Sequence, residues 1–142
     1  MAITMKNNRI LNFKSVVLQN EEVIESVFST PAVYEKKGSI ARISYKDFSF
    51  GNADTELRVF GNKSLKIMRK GGINSVLTLE NGKSIQCDYQ TPYGSFEINM
   101  KTQSIINELD VNGSLFFNYA ICVDDSHLSL VGVYIKLDEK EV

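Results

Sequence analysis

The chain is poor in the residues that build metal and redox sites. Its 142 residues include two cysteines, one histidine and no tryptophan. Two thiols and one imidazole make a poor ligand set for a metal ion. Cys87 and Cys122 lie in apolar, strand-like stretches, so we interpret them as buried, reduced thiols rather than as a disulfide or a metal pair. His127 follows a polar turn, and neighbours in sequence do not by themselves make a catalytic triad.

Strong net charge and long apolar runs are also missing. The formal net charge is −1, which provides no long-range attraction to nucleic acid or to anionic membranes, so we expect neither as a partner. No stretch approaches the roughly 20 apolar residues of a membrane-spanning helix. Residues 1–17 include basic side chains but not the apolar core of a signal peptide. We therefore expect a cytoplasmic protein, and the sequence suggests no cofactor.

The sequence does contain repeated alternation of apolar and polar residues. It is clearest in residues 85–102, where two alternating runs flank a corner formed by Thr91-Pro92-Tyr93-Gly94. Alternation with a period of two is typical of strands that have one buried and one wet face. The same reading predicts strands over residues 10–19, 23–29 with a continuation to 35 past Pro31, 41–45, 57–59, 65–69, 77–79, 85–89, 96–102, 103–111, 115–123 and 128–137.

One of these stretches allows two interpretations. Ile105 and Leu109, in residues 103–111, would also suit one face of a short helix. We prefer a strand, because the turn pair Asn112-Gly113 follows directly and another strand begins after it.

About ten strand runs, with turn signals every 8–12 residues, predict an all-β domain that spans residues 1–142. Nearly every link is short enough to be a hairpin, which favours an up-and-down order, and closure would remove exposed sheet edges. We therefore predict a closed antiparallel up-and-down β-barrel of about 8–10 strands. Residues 1–8 and 138–142 are expected to be loose ends, and residues 47–54 a longer loop.

Arg69 is the first candidate for a binding residue. It shares its phase with Leu65 and Ile67, so its side chain is expected to point into the barrel. A buried guanidinium needs an anionic or polar partner. The candidates are a ligand carboxylate or phosphate, ordered water, or an acid from a loop such as Asp47 or Asp54.

Tyrosine hydroxyls provide the other candidates. Tyr89, Thr91 and Tyr93 cluster at the corner, and Tyr119 lies in a later strand. Tyrosines and an arginine inside a barrel would suit an amphipathic ligand, because rings can pack on its apolar body and polar groups can bind its head. These residues would equally suit an ordinary core with cross-strand aromatic pairs.

The chain also resembles a known family. Arg69-Lys70-Gly71 after a strand, the segment Tyr89-Gln90-Thr91-Pro92-Tyr93-Gly94 and the downstream Thr102 resemble the YwiB-like family, a group of small bacterial proteins of unknown function. The resemblance implies a calycin-like fold, the closed barrel of lipocalins and fatty-acid-binding proteins. It adds Thr102 to the candidate ligand-binding residues. It implies no activity, because none is established for the family.

Two functions remain open from the sequence. The first is a non-enzymatic barrel that binds a small hydrophobic or amphipathic molecule in its interior. The second is a solid-core protein that binds another protein through its surface. An enzyme is disfavoured, because no catalytic nucleophile–base pair and no metal set is visible. The oligomeric state is left open.

Overall fold

The computed structural model describes residues 8–48, 51–71, 74–91, 94–123 and 126–139. Within these ranges each strand pairs antiparallel with its neighbours in sequence, and β1 closes the ring against β10. The predicted all-β, up-and-down barrel is confirmed, with ten strands in the described residues. The strands are β1 (Arg9–Gln19), β2 (Glu22–Lys37), β3 (Ile40–Asp47), β4 (Ala53–Phe60), β5 (Ser64–Lys70), β6 (Ser75–Glu80), β7 (Ser84–Thr91), β8 (Gly94–Glu108), β9 (Ser114–Val123) and β10 (Ser126–Glu139).

Tight turns explain the up-and-down order. Asn20 and Glu21 join β1 to β2 and both have positive φ, 52° and 63°. Two successive residues with positive φ form the turn whose twist matches that of the flanking strands. The turn therefore closes directly on the pair formed by Gln19 and Glu22.

The barrel interior is filled by alternate side chains of the strands. Inward positions are odd-numbered in most strands, but the first half of β8 buries the even-numbered Ile98, Met100 and Thr102. A register shift between Thr102 and Ser104 then turns Ile105 inward. The largest fully buried side chains are Phe117, Leu11, Ile43, Leu57, Leu65, Ile67, Leu79, Met100, Leu115, Ile135, Val59 and Thr102.

A single helical turn, α1 (Leu109–Asn112), follows β8. The prediction of a strand over residues 103–111 is therefore correct to Glu108 and wrong beyond it. Leu109 is buried in the core, and Asp110 binds Lys36 of β2. Burial of Leu109 within a single turn explains the helical spacing in the sequence, and these contacts fix α1 beside β2.

Two predicted boundaries also need correction, and one continuation is confirmed. β3 reaches Asp47 and β4 begins at Ala53, so the loop expected over residues 47–54 is shorter. The predicted continuation of β2 past Pro31 is confirmed, because Glu22–Lys37 is a single strand. β10 extends to Glu139, into the expected loose end, because Asp138 pairs with Ile10 of β1. Cross-strand pairing thus orders polar residues that the sequence pattern alone assigns to loops.

Strand pairing in the barrel wall is incomplete in two places among the described strands. β2 pairs with β3 only from Ala32 to Lys37, so residues 22–31 pair with β1 alone among the described strands. β6 and β7 share a single pair, Ser75 with Tyr89. In the part of the chain that the structure describes, no helix is long and apolar enough to cross a membrane.

Candidate functional site

Four ionisable side chains are buried inside the barrel and interact electrostatically, and we call them the interior polar cluster: Tyr45, Asp47, Arg69 and Tyr119. A carboxylate oxygen of Asp47, Oδ2, lies 3.7 Å from Nη2 of Arg69. The Asp47 side chain is fully buried and that of Arg69 is 8% exposed. Charged groups are rarely so buried unless they are paired, so this ion pair is the most unusual feature of the interior.

Strand register places this cluster. Tyr45 pairs with Thr55 of β4, Thr55 pairs with Arg69 of β5, and Arg69 pairs with Ser75 of β6. These paired residues form a row across β3, β4, β5 and β6, which we call the interior row. Tyr89 of β7 pairs with Ser75 and extends the row to a fifth strand. Because residues paired across strands point to the same face, the inward phase of Tyr45 and the inward phase of Arg69 bring both into the lumen.

Tyr119 acts on Tyr45 from a different part of the barrel wall. It belongs to β9, which lies far from β3 in the ring order. Burial raises the pKa of Tyr45 above its ordinary value, Asp47 raises that pKa further, Arg69 partly opposes the shift, and Tyr119 adds a small increase. Tyr119 is buried in the barrel, and its effect on this pKa is the weakest of the four causes.

Two buried hydroxyls flank the cluster. Ser75 is the cross-strand neighbour of Arg69, and Thr102 is the cross-strand neighbour of Tyr119. Neither Ser75 Oγ nor Thr102 Oγ1 has a hydrogen-bond partner among the described residues. Buried polar atoms nearly always have a partner, so each hydroxyl requires one beyond the described side chains.

Aromatic rings connect the cluster with the surface. Phe28 stacks on Phe13 with ring centroids 4.5 Å apart, and Phe48 meets Phe28 edge-on at 5.4 Å. Tyr45 lies 6.4 Å from Phe13 and 6.5 Å from Phe28, measured between ring centroids. Phe48 is 50% exposed, whereas Tyr45 is buried. The rings therefore lead from solvent to the polar cluster where β2 leaves β3.

Two pockets lie at the parts of the wall where pairing among the described strands is incomplete. One, of about 700 Å³, includes Thr30, Tyr45 and Thr55 in its lining, near the separation of β2 and β3. The other, of about 600 Å³, includes Arg69 and Ser75 and follows the β6–β7 seam. Both are thus bordered in part by residues of the interior row.

The structure places only some of the predicted site residues. Arg69, Thr102 and Tyr119 are buried in the barrel, and Arg69 and Tyr119 both affect the pKa of Tyr45. Tyr89 and Thr91 belong to β7, but their side chains lie outside the described part of the chain, as does all of Tyr93.

Sequence reasoning did not select Tyr45 and Ser75, and it offered Asp47 only as one possible loop acid. A signal for Tyr45 and Asp47 is present, because both continue the phase of Ala41 and Ile43. The direct neighbour relation of Ser75 and Arg69 depends on strand register, for which the sequence has no comparable signal.

The cluster offers hydrogen-bond donors, acceptors and one compensated charge pair. This chemistry suits recognition of a polar head group. Among the described residues, no group of three or more histidine, cysteine, aspartate or glutamate side chains could hold a metal ion.

Comparison with known proteins supports the fold and the family. The chain is similar to the ywiB protein from Bacillus subtilis, whose crystal structure matches with a TM-score of 0.71 and 22% sequence identity. The match covers 94% of this chain and 93% of that chain, and at this identity it shows the fold alone. No curated protein matches the chain. The family model described as a domain of unknown function, DUF1934, matches residues 11–135, so the chain belongs to that family.

Proposed function

We propose that the protein is a non-enzymatic, cytoplasmic binding protein for a small amphipathic molecule. The polar head of the ligand would reach the interior polar cluster, and its apolar body would lie among Phe13, Phe28 and Phe48. The net charge of −1 gives no support for a nucleic-acid or membrane partner. The proposal therefore concerns a small molecule and the barrel interior.

The observation that carries the proposal is the buried ion pair of Asp47 and Arg69, together with the buried hydroxyls of Ser75 and Thr102, which have no hydrogen-bond partner among the described residues. In a barrel built only for stability, replacing a buried ion pair with apolar residues is often neutral or favourable. Keeping the pair makes sense where a polar molecule binds in the interior and also bonds to the hydroxyls of Ser75 and Thr102.

An amphipathic ligand fits the surroundings better than a wholly polar one. Phe48 is half exposed and meets Phe28, which stacks on the buried Phe13. An alkyl chain or ring system could replace these ring contacts at little cost, because apolar contacts are not directional. The head group would then meet the Arg69 guanidinium and the tyrosine hydroxyls, which favours a carboxylate or a hydroxyl.

The test is a fluorescence titration with 11-(dansylamino)undecanoic acid. The chain contains no tryptophan, so the probe signal has little protein background. We expect saturable binding to the wild type and at least about tenfold weaker binding to Arg69→Met/Asp47→Leu, because that double variant removes the polar anchor without leaving one charge buried.

The matched control is Lys83→Met/Glu80→Leu, which removes an exposed ion pair of 2.9 Å from the β6–β7 turn. This variant should bind like the wild type. Wild-type protein that gives no saturable signal, or equal binding by all three proteins, would rule out the interior polar cluster as the binding site.

A further inference from the structure

Among the described strands, none pairs with one edge of β2 along much of its length. Residues 22–31 pair with β1 on one side, and no described strand pairs with them on the other. A row of free N–H and C=O groups is a template for another strand, and proteins usually shorten, cover or charge such edges. This edge is ten residues long, about 33 Å at the usual rise per residue of a strand.

The backbone groups that face outward can be assigned. The two-residue turn at Asn20-Glu21 closes on the hydrogen-bonded pair Gln19 and Glu22, so even-numbered residues of β2 bond to β1. The Asn8 N–H donates to the carbonyl oxygen of Ala32 at 3.0 Å, so the even-numbered Ala32 also directs a backbone group to the side on which β1 lies. The odd-numbered residues from 23 to 29 therefore direct their N–H and C=O groups to the free edge.

Pro31 limits this edge. Residue 31 is odd-numbered, so a backbone N–H at this position would face the free edge, as the N–H groups of the odd-numbered residues 23–29 do. Proline has no N–H to donate there. A ladder formed on the free edge would thus end before Pro31. Residues 23–29 remain, with four outward N–H and four outward C=O groups.

Apolar side chains are exposed on the outer face beside this edge. Cross-strand register brings together Val16 (37% exposed) and Leu18 (41%) of β1, Val23 (65%) and Val27 (70%) of β2, and Leu130 (39%) of β10. Together they expose roughly 400 Å², within the range of about 300–600 Å² for the largest patch on a monomer, a patch that is often functional. Val23 and Val27 lie on the edge strand itself, so a strand that pairs with this edge would contact both side chains.

The charges of the edge exclude one register and suit another. Antiparallel pairing centred on Glu25 would place two carboxylates opposite each other, which is unfavourable. Pairing centred on Ser26 places Glu25 opposite Val27 of the second copy and Ile24 opposite Phe28. Lys14 lies 3.1 Å from Glu25 within each copy, so the acidic side chain already has a neutralising partner.

We propose that the protein is a two-fold symmetric dimer in which the β2 edges of two copies pair antiparallel about Ser26. Two such edges exchange eight backbone hydrogen bonds, from four outward residues in each copy. The sheet then continues from one barrel into the next, and the Val27 side chains of the two copies become diagonal neighbours on the outer face.

Sedimentation equilibrium tests the dimer with Val27→Glu. The substituted side chain would face Glu25 of the second copy, so we expect the wild type at twice 16.0 kDa and at least about tenfold weaker association of the variant.

The matched control is Val111→Glu, because Val111 is 80% exposed on α1, outside the edge. The control should remain dimeric. The swap Glu25→Val/Val27→Glu should restore association, because it places one carboxylate opposite an apolar residue again.

Cysteine cross-linking tests the register. Ser26→Cys should form a covalent dimer under mild oxidation, because residues facing each other in a non-hydrogen-bonded pair have Cα atoms about 4.5 Å apart. Ser29→Cys should not, because its two copies would lie about 20 Å apart along the strands. Monomeric wild type, a dimer insensitive to Val27→Glu, or equal cross-linking by both variants would overturn the proposal, including the case in which the edge accepts only a peptide of another protein.

Discussion

Asp47 and Arg69 belong to strands that are not neighbours, yet Oδ2 of the first lies 3.7 Å from Nη2 of the second inside the barrel. The strand between them, β4, presents the small side chain of Thr55 at the same level. Because Thr55 is short, the long arginine side chain has room to approach the carboxylate from two strands away. The pair therefore links β3 to β5 through the interior.

Removing one partner of this pair should cost more than removing both. Arg69→Met leaves a buried carboxylate without its cation, so we expect a loss of about 3–5 kcal/mol in the free energy of unfolding. Arg69→Met/Asp47→Leu should lose markedly less, because no charge remains buried. Urea unfolding of the two variants measures the difference, and equal losses would show that the ion pair is not coupled in this way.

Tyr45 should make the protein sensitive to alkaline pH. Its pKa is raised in the folded protein, chiefly by burial, whereas in the unfolded chain it ionises near pH 10. Above that pH the unfolded chain binds fewer protons than the folded one, so stability falls as pH rises, by up to about 1.4 kcal/mol per pH unit.

Chemical unfolding at several alkaline pH values tests this. Tyr45→Phe should reduce the slope of the free energy of unfolding against pH above about 10, because it removes the group that ionises only on unfolding. Tyr134→Phe, at a side chain that is 46% exposed, is the matched control and should keep the wild-type slope. An identical slope in wild type and Tyr45→Phe would contradict the buried position of this hydroxyl.

Gly113 should tolerate no side chain. Its φ is 77°, and an added Cβ would lie 2.6 Å from the carbonyl oxygen of Leu137. The backbone of Leu137 is also hydrogen-bonded to Gly113, because Leu137 N donates to Gly113 O at 2.8 Å. The position therefore combines backbone strain with a steric conflict that cannot relax by a rotamer change.

Thermal and urea unfolding should separate the two effects. Gly38 has a φ of 63° but nothing within 4 Å of an added Cβ, so Gly38→Ala should cost only about 1 kcal/mol of backbone strain. Gly113→Ala should cost about 1–3 kcal/mol more, as overpacking does. If the two variants lose the same stability, the close approach to Leu137 is not a constraint.

The two free thiols should differ in reactivity. Cys87 is 6% exposed, with Sγ 3.9 Å from the Thr78 carbonyl oxygen, whereas Cys122 is partly buried. Ellman's reagent should therefore modify Cys122 first in the native protein, and both thiols at once after unfolding. Cys122→Ser isolates Cys87 as the control. Faster reaction at Cys87 would mean that the seam between β6 and β7 opens in the native state.

The sequence predicted most of the fold because its signal is local. Alternating apolar residues mark a half-buried strand regardless of its partners, and this identified the strands and the inward phase of Arg69. The alternating pattern was less informative where polar residues extend a strand only through pairing, as Asp138 does with Ile10. It was ambiguous at Leu109, where one helical turn and a strand end have similar patterns.

The candidate site was only half predictable for a related reason. The sequence required a partner for an inward arginine, but the choice of Asp47 depends on strand order, register and barrel closure together. The neighbour relations of Ser75 with Arg69 and of Thr102 with Tyr119 likewise follow from register. Register between strands distant in sequence leaves no local pattern.

The Arg69 side chain provides the most direct test of ligand binding. In proton–nitrogen correlation spectra of the wild type, the Arg69 Nε–H signal can be assigned by its loss in Arg69→Met/Asp47→Leu. Added dodecanoate should shift this signal in a saturable way that ends at one equivalent, because the carboxylate head would meet the guanidinium. An Arg69 signal that does not change, with or without shifts elsewhere, would contradict the account.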